Sequence, residues 1–286
     1  MEEEPSTSCG KKRSFPKELL DKMDDTDAKL PRIAATPAVL NDNQKRYLVV
    51  GICLQSVISP ALRKYVVPIL TSLYEELTLR EKIDTPTFST HYQPTYTFLN
   101  YENINNNKAT YGYQKAKYDY TVKSVVDLSK LFLQIHMTHY TGFDETCDLS
   151  ALLGLIINIV GKFPTTVISY AKNVRGVRNE WAHSDFTKWD AVKYSDSFKL
   201  MTDLVKNLCL SSTEESQTLL EIEKWEINGT SSLNDTNEIC RLLHVLVKSV
   251  KHIANESETE IKESHVISSF FAEVVGYSGK STHTIK

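Results

Sequence analysis

The sequence predicts an all-α protein, and three observations carry that prediction. Apolar residues recur at helical spacing through several separate segments between Tyr47 and Lys262. The most apolar run, Leu149 to Gly161, has the length of a buried helix. Start signals stand ahead of the periodic segments, Pro164 at a first helical turn among them. At 286 residues the chain is long enough to bury a full core.

Taken in order, residues 1–42 are rich in Glu, Ser, Lys, Pro and Asp and read as a disordered tail that buries too little to offset ordering entropy. Helical order is expected to begin at Asn43, a plausible N-cap. From Tyr47 to Leu79, Leu48, Ile52, Ile58, Leu62, Val66, Ile69, Leu73 and Leu77 mark one helical face. Pro60 and Pro68 interrupt it, which predicts a broken or kinked helix pair rather than one rod.

Between Asp84 and Thr121 the texture changes. Nine aromatics from Phe88 to Tyr120 surround the stretch "NINNNK", whose turn chemistry predicts a structured loop or a short hairpin. Lys108, Lys115 and Lys117 lie among the tyrosines. That interleaving suits base stacking beside phosphates, as in single-strand binders. The favoured reading is an insertion whose aromatics cap the core.

Helical patterning returns at 125–140, at 148–160, and from Pro164 through "TTVISYAKNVRGVRNEWAH". Further amphipathic stretches cover 189–208, 214–225 and 238–262. The expected organisation is a helical domain over 43–210, a helical extension over 211–262, and a tail over 263–286.

Several functional classes are disfavoured. A net charge of −3 supplies no general attraction to nucleic acid, so any such binding must come from a local patch. The five cysteines form no C-x-x-C pair and follow no secretory signal, which predicts reduced, mostly buried thiols in a cytoplasmic protein. The triplets at Asn228, Asn234 and Asn255 then read as chance matches to a glycosylation site. Leu149 to Gly161 is too short to span a bilayer, and no membrane segment is expected.

His136-x-x-His139 has helical spacing for a shared metal, but no further ligands accompany it, and the pair reads as two ordinary helix histidines. "VVGYSGKST" ends like a phosphate-binding loop, yet Val274 stands where the pattern needs glycine. No cofactor or metal is expected.

The remaining constellation is Arg178-Asn179-x-x-x-His183. Arginine fixes a phosphate by a charged two-pronged hydrogen bond, and histidine moves protons near neutral pH. Lys172 and Arg175 extend the patch, with no acid between Lys172 and Asn179. In the plainer reading Arg178 pairs with a carboxylate, His183 meets carbonyls at a helix end and Trp181 packs in the core. Five residues on an unbroken helix separate Arg178 and His183 by about 140°. A shared site therefore needs a helix break near Gly176 to Trp181, or a second protomer. Glu180 and Asp185 also lie within reach of the motif, and each repels phosphate if it faces one.

On these residues the chain resembles the HEPN family of small all-helical domains, whose signature is an Arg, a polar residue and a His several positions on. It is most similar to the subtype found in the DAZ-interacting, RNA-binding ubiquitin ligases and their invertebrate expansions. There a D-x-x-x-L-F helix precedes R-N-x-x-x-H, as Asp127 to Phe132 precedes Arg178 to His183 here, and an aromatic-containing helix follows, as "KWDAVKYSDSF" does.

The resemblance covers residues 43–210. It implies a HEPN-like helical bundle, to which the residue patterns add an irregular aromatic-rich insertion and a C-terminal helical extension. It further implies RNA as ligand and a homodimer with a composite site, in a defence or stress setting. Arg178, Asn179 and His183 would be catalytic in a metal-independent endoribonuclease leaving a 2′,3′-cyclic phosphate, with Lys172 and Arg175 binding RNA. The alternative is a non-catalytic module that dimerises and recruits other proteins. No RING-type Cys/His series is present, so ligase activity does not carry over.

Overall fold

The computed structural model describes residues 40–86, 90–95, 97–183 and 185–233. The expected N-terminal tail, the helix over 238–262, the phosphate-loop look-alike, and Asn234 and Asn255 lie outside the described residues, apart from residues 40–42 of the tail. Those described form an all-α fold with no strand among them.

Helix α1 (Asp42–Cys53) is capped by Asn41, two residues before the expected cap at Asn43. Asn41 accepts from the Gln44 amide at 3.0 Å, while the Gln44 side chain accepts from the Asn41 amide, also at 3.0 Å. This reciprocal box needs Gln three places after the cap, and only Asn41 has it. Asn43 instead donates to the Thr187 carbonyl at 3.4 Å.

The expected break at Pro60 is absorbed rather than made. A π-helical stretch, Leu54–Ile58, leads directly into α2 (Ser59–Glu81), with Pro60 in its first turn. The Ser59 amide bonds to the Leu54 carbonyl five residues back. A wider turn just ahead of the proline keeps the backbone helical where an α-turn would meet the pyrrolidine ring.

After α2 the chain enters the irregular segment, which contains the short helix α3 (Asn107–Tyr111) and no hairpin among its described residues. Asparagine side chains hold it. Asn105 donates to the carbonyls of Asp119 and Thr121 at 3.0 and 2.7 Å. The fully buried Asn107 donates to those of Tyr101 and Asp119 at 2.8 and 2.9 Å, and accepts from the Asp119 amide at 2.9 Å. Backbone groups with no regular ladder are thereby satisfied. Tyr101, Tyr118 and Tyr120 are buried, as the core-capping reading expects.

The helix expected over 125–140 is cut short. Only α4 (Val125–Lys130) forms, followed by a turn and a 3-10 turn at Ile135–Met137. Its continuation would need the carbonyls of Lys130, Phe132 and Leu133 for the next turn. Asn103 takes those of Lys130 and Leu133, each at 2.8 Å, Asn100 shares that of Leu133 at 2.7 Å, and Asn158 takes that of Phe132 at 2.8 Å.

Helix α5 (Leu149–Asn158), capped by Asp148, is buried over most of its length. Then come α6 (Thr165–Ala182), α7 (Ala191–Asn207) and α8 (Ser212–Ser232). Helix α6 packs between α5 and α7, while α1 lies against α7 and α8.

Although α8 falls beyond the expected boundary at residue 210, it packs on the same core. Ile222 is buried, and the Tyr194 hydroxyl donates to the carbonyls of Trp225 and Glu226 at 3.1 and 2.9 Å. Gly229 lies so close to α1 that a Cβ there would sit 2.5 Å from Val49 Cγ1. Among the described residues no helix is long and apolar enough to cross a membrane.

Candidate functional site

Val167, Ala171, Val174, Val177 and Trp181 form the buried stripe of α6, at spacings of three and four residues. Trp181 anchors its C-terminal end. The indole stacks on Tyr47 with centroids 5.4 Å apart and donates to the Tyr47 carbonyl at 3.1 Å. Gly51 on α1 makes room for it, since a Cβ there would lie 2.5 Å from the indole. The core role of Trp181 expected in the plainer reading is therefore present.

Because that stripe is pinned, the opposite face is fixed toward solvent. Taking 100° per residue from Lys172, Asn179 falls at about −20°, His183 at +20°, Gly176 at +40° and Arg175 at −60°. Lys172, Gly176, Asn179 and His183 are exposed, and Arg175 is half-buried. Arg178 falls at about −120°, within the arc of the apolar stripe between the directions of Ala171 and Val167, and is half-buried.

No break occurs between Gly176 and Trp181. The helix runs through Ala182, and His183 caps it with a near-helical backbone, its amide bonded to the Asn179 carbonyl at 3.2 Å. Of the five residues singled out from the sequence, the helix thus places Lys172, Arg175, Asn179 and His183 along one side, over about 16 Å of its length, and sets Arg178 about 140° from His183.

In the sequence Gly176 marks only a possible break. Its position in the stripe is open, with nothing within 4 Å of an added Cβ. A glycine inside an exposed helix is unfavourable by about 1 kcal/mol relative to alanine. The packing of this chain requires no glycine there, and that surplus cost was the available sequence signal.

Both carboxylates near the motif are engaged. Glu180 pairs with Lys193 of α7. Asp185 accepts from the Thr187 hydroxyl at 2.6 Å and pairs with Lys188 at 3.3 Å. The Thr187 hydrogen bond, with help from Lys188, holds the Asp185 carboxyl below its ordinary range. Lys172, Arg175 and His183 therefore face solvent beside acids whose charge is already balanced.

Other chemistry is poorly served among the described residues. His136 and His139 are exposed around a 3-10 turn instead of sharing an α-helical face, and no group of three metal-ligating side chains comes together. Burial and the neighbouring Asp148 push the Cys147 thiol up to about 12, and burial raises Cys53 as well. Both thiols are protonated and inert near neutral pH.

No family model, curated protein or solved structure matches the chain.

Proposed function

We propose that the chain is a HEPN-type domain that binds RNA through the solvent face of α6. One observation carries the proposal: Lys172, Asn179 and His183 share an exposed stripe, flanked by Arg175, beside acids that are paired elsewhere. Cations arranged along one face track a phosphate backbone, and the open position at Gly176 lets a ligand or a second helix approach the backbone.

Cleavage places a further demand on this site. With Arg178 and His183 on diverging faces of one helix, a catalytic pair forms when two copies meet about a two-fold axis. In such a pair His183 accepts the ribose 2′-hydroxyl proton or returns one to the leaving 5′-oxygen. The arginine stabilises the crowded phosphate oxyanion. The unbroken helix gives specific support to a second reading, a dimerising module that binds without cutting.

RNA binding and cleavage by wild type, Arg178→Ala, His183→Ala and Lys172→Glu/Arg175→Glu, measured in EDTA with sedimentation of each, separate these outcomes. The nuclease reading expects cyclic-phosphate products, abolished in His183→Ala with most RNA affinity retained. Arg178→Ala lowers cleavage and affinity together. A wild type that binds without cutting leaves the non-catalytic module, and a wild type that does not bind RNA ends both versions.

A further inference from the structure

The irregular segment carries a second basic surface, remote in sequence from α6, and its tyrosines range from buried to exposed. Tyr101, Tyr118 and Tyr120 are buried, and their hydroxyls donate to the carbonyls of Tyr92 at 3.0 Å, Gly112, and Lys115 at 2.8 Å. They hold the loop from beneath. Tyr113, by contrast, is 81% exposed. The Lys108 ammonium sits 3.4 Å from its ring centroid, a cation-π contact that occupies one face and leaves the other to solvent.

The stretch that carries the ring is basic, with Glu102 at its edge acting on Lys108 and Tyr118. No acid lies between Glu102 and Asp119, while Lys108, Lys115 and Lys117 all fall within the interval. Lys115 and Lys117 are exposed, and Asp119 is engaged by the Thr121 amide at 2.9 Å and by Lys123 at 3.4 Å. An open aromatic face beside the exposed Lys115 and Lys117 matches a ligand with flat bases and regularly spaced negative charges. A duplex fits less well, because its bases are already stacked on one another. Asn105 and Asn107 fix the backbone beneath, so little ordering entropy remains to be lost on binding.

We propose that the tip from Asn105 to Lys117 is a contact site for single-stranded RNA. A base stacks on the open face of Tyr113, and Lys108, Lys115 and Lys117 hold the adjacent phosphates. This rests on the RNA-binding reading of the chain and adds to it a preference for unpaired strands.

The test is fluorescence anisotropy of the full chain with a labelled oligouridylate and with a labelled RNA duplex of equal length. Tyr113→Ala should weaken the single strand about tenfold and the duplex less than twofold, with Tyr113→Trp restoring affinity. Lys115→Glu/Lys117→Glu should weaken the single strand and flatten its salt dependence. Unchanged affinity in both tip variants, alongside a loss in Lys172→Glu/Arg175→Glu, overturns the tip site and leaves the α6 face standing. Absence of RNA binding by wild type overturns both. Tip variants that keep RNA affinity but lose binding to phosphatidylserine vesicles would assign the tip to a membrane surface and overturn the proposal.

Discussion

Helix α6 and the segment from Asp84 to Thr121 both bring cations to the surface, and they do so by opposite means. In α6 the backbone satisfies itself, and orientation comes from one apolar stripe ending in Trp181, so the exposed residues follow from the helical period. In the described part of the irregular segment the backbone satisfies itself only within short turns, which leaves other groups open. Asparagine amides and tyrosine hydroxyls take over that task, and the exposed residues are whatever those anchors leave outside. A helix thus aims its surface through packing, whereas a loop aims it through polar side chains. The two devices should fail differently.

Removing the packing anchor should have the largest effect. Trp181→Ala deletes the indole stacked on Tyr47 and empties the space above Gly51, and it should destabilise the protein by about 3–5 kcal/mol. Chemical denaturation monitored by circular dichroism gives the value. A loss below about 1 kcal/mol would mean that α6 is oriented by something other than its stripe.

Removing a polar anchor comes next. Asn107→Ala removes the partner of the Asp119 amide and the Tyr101 carbonyl, while the Asp119 carbonyl keeps Asn105, at a cost of about 2–4 kcal/mol. Amide exchange should speed up at Asp119 and along the tip before it does in α6. Uniform acceleration over both regions would show that the loop and the helix unfold as one unit and are not separately held.

The smallest effect has the opposite sign. Gly176→Ala puts a methyl group into open space on an exposed helix and should stabilise the protein by about 0.5–1 kcal/mol. If α6 meets RNA or a second copy closely, the same variant should weaken that association while raising Tm. Greater stability with unchanged binding and unchanged sedimentation would place the contact elsewhere.

What was legible locally follows from the reach of each signal. Residues three or four apart decide whether a helix has an apolar face, so α2, α5, α6, α7 and the start of α8 were all readable, as was the single buried stripe that ends at Trp181. The helical period likewise sets Arg178 about 140° from His183, and leaves open whether the helix breaks or a second protomer completes a shared site.

Three matters lay beyond that reach. The helix expected over 125–140 stops at Lys130 because Asn100, Asn103 and Asn158, each more than twenty residues distant, compete for its next carbonyls. The tyrosines of the irregular segment looked alike in sequence, and only the fold separates the buried Tyr120 from the exposed Tyr113. The four glycines of the described helices also differ by surroundings alone: Gly51 receives Trp181, Gly154 receives Leu133 and Met137, Gly229 receives Val49, and Gly176 meets nothing. The sequence by itself determined the helices and their faces, because periodicity is a property of neighbours along the chain. Tertiary structure decided where helices stop and which side chains stay free, because that competition is between groups brought together only by folding.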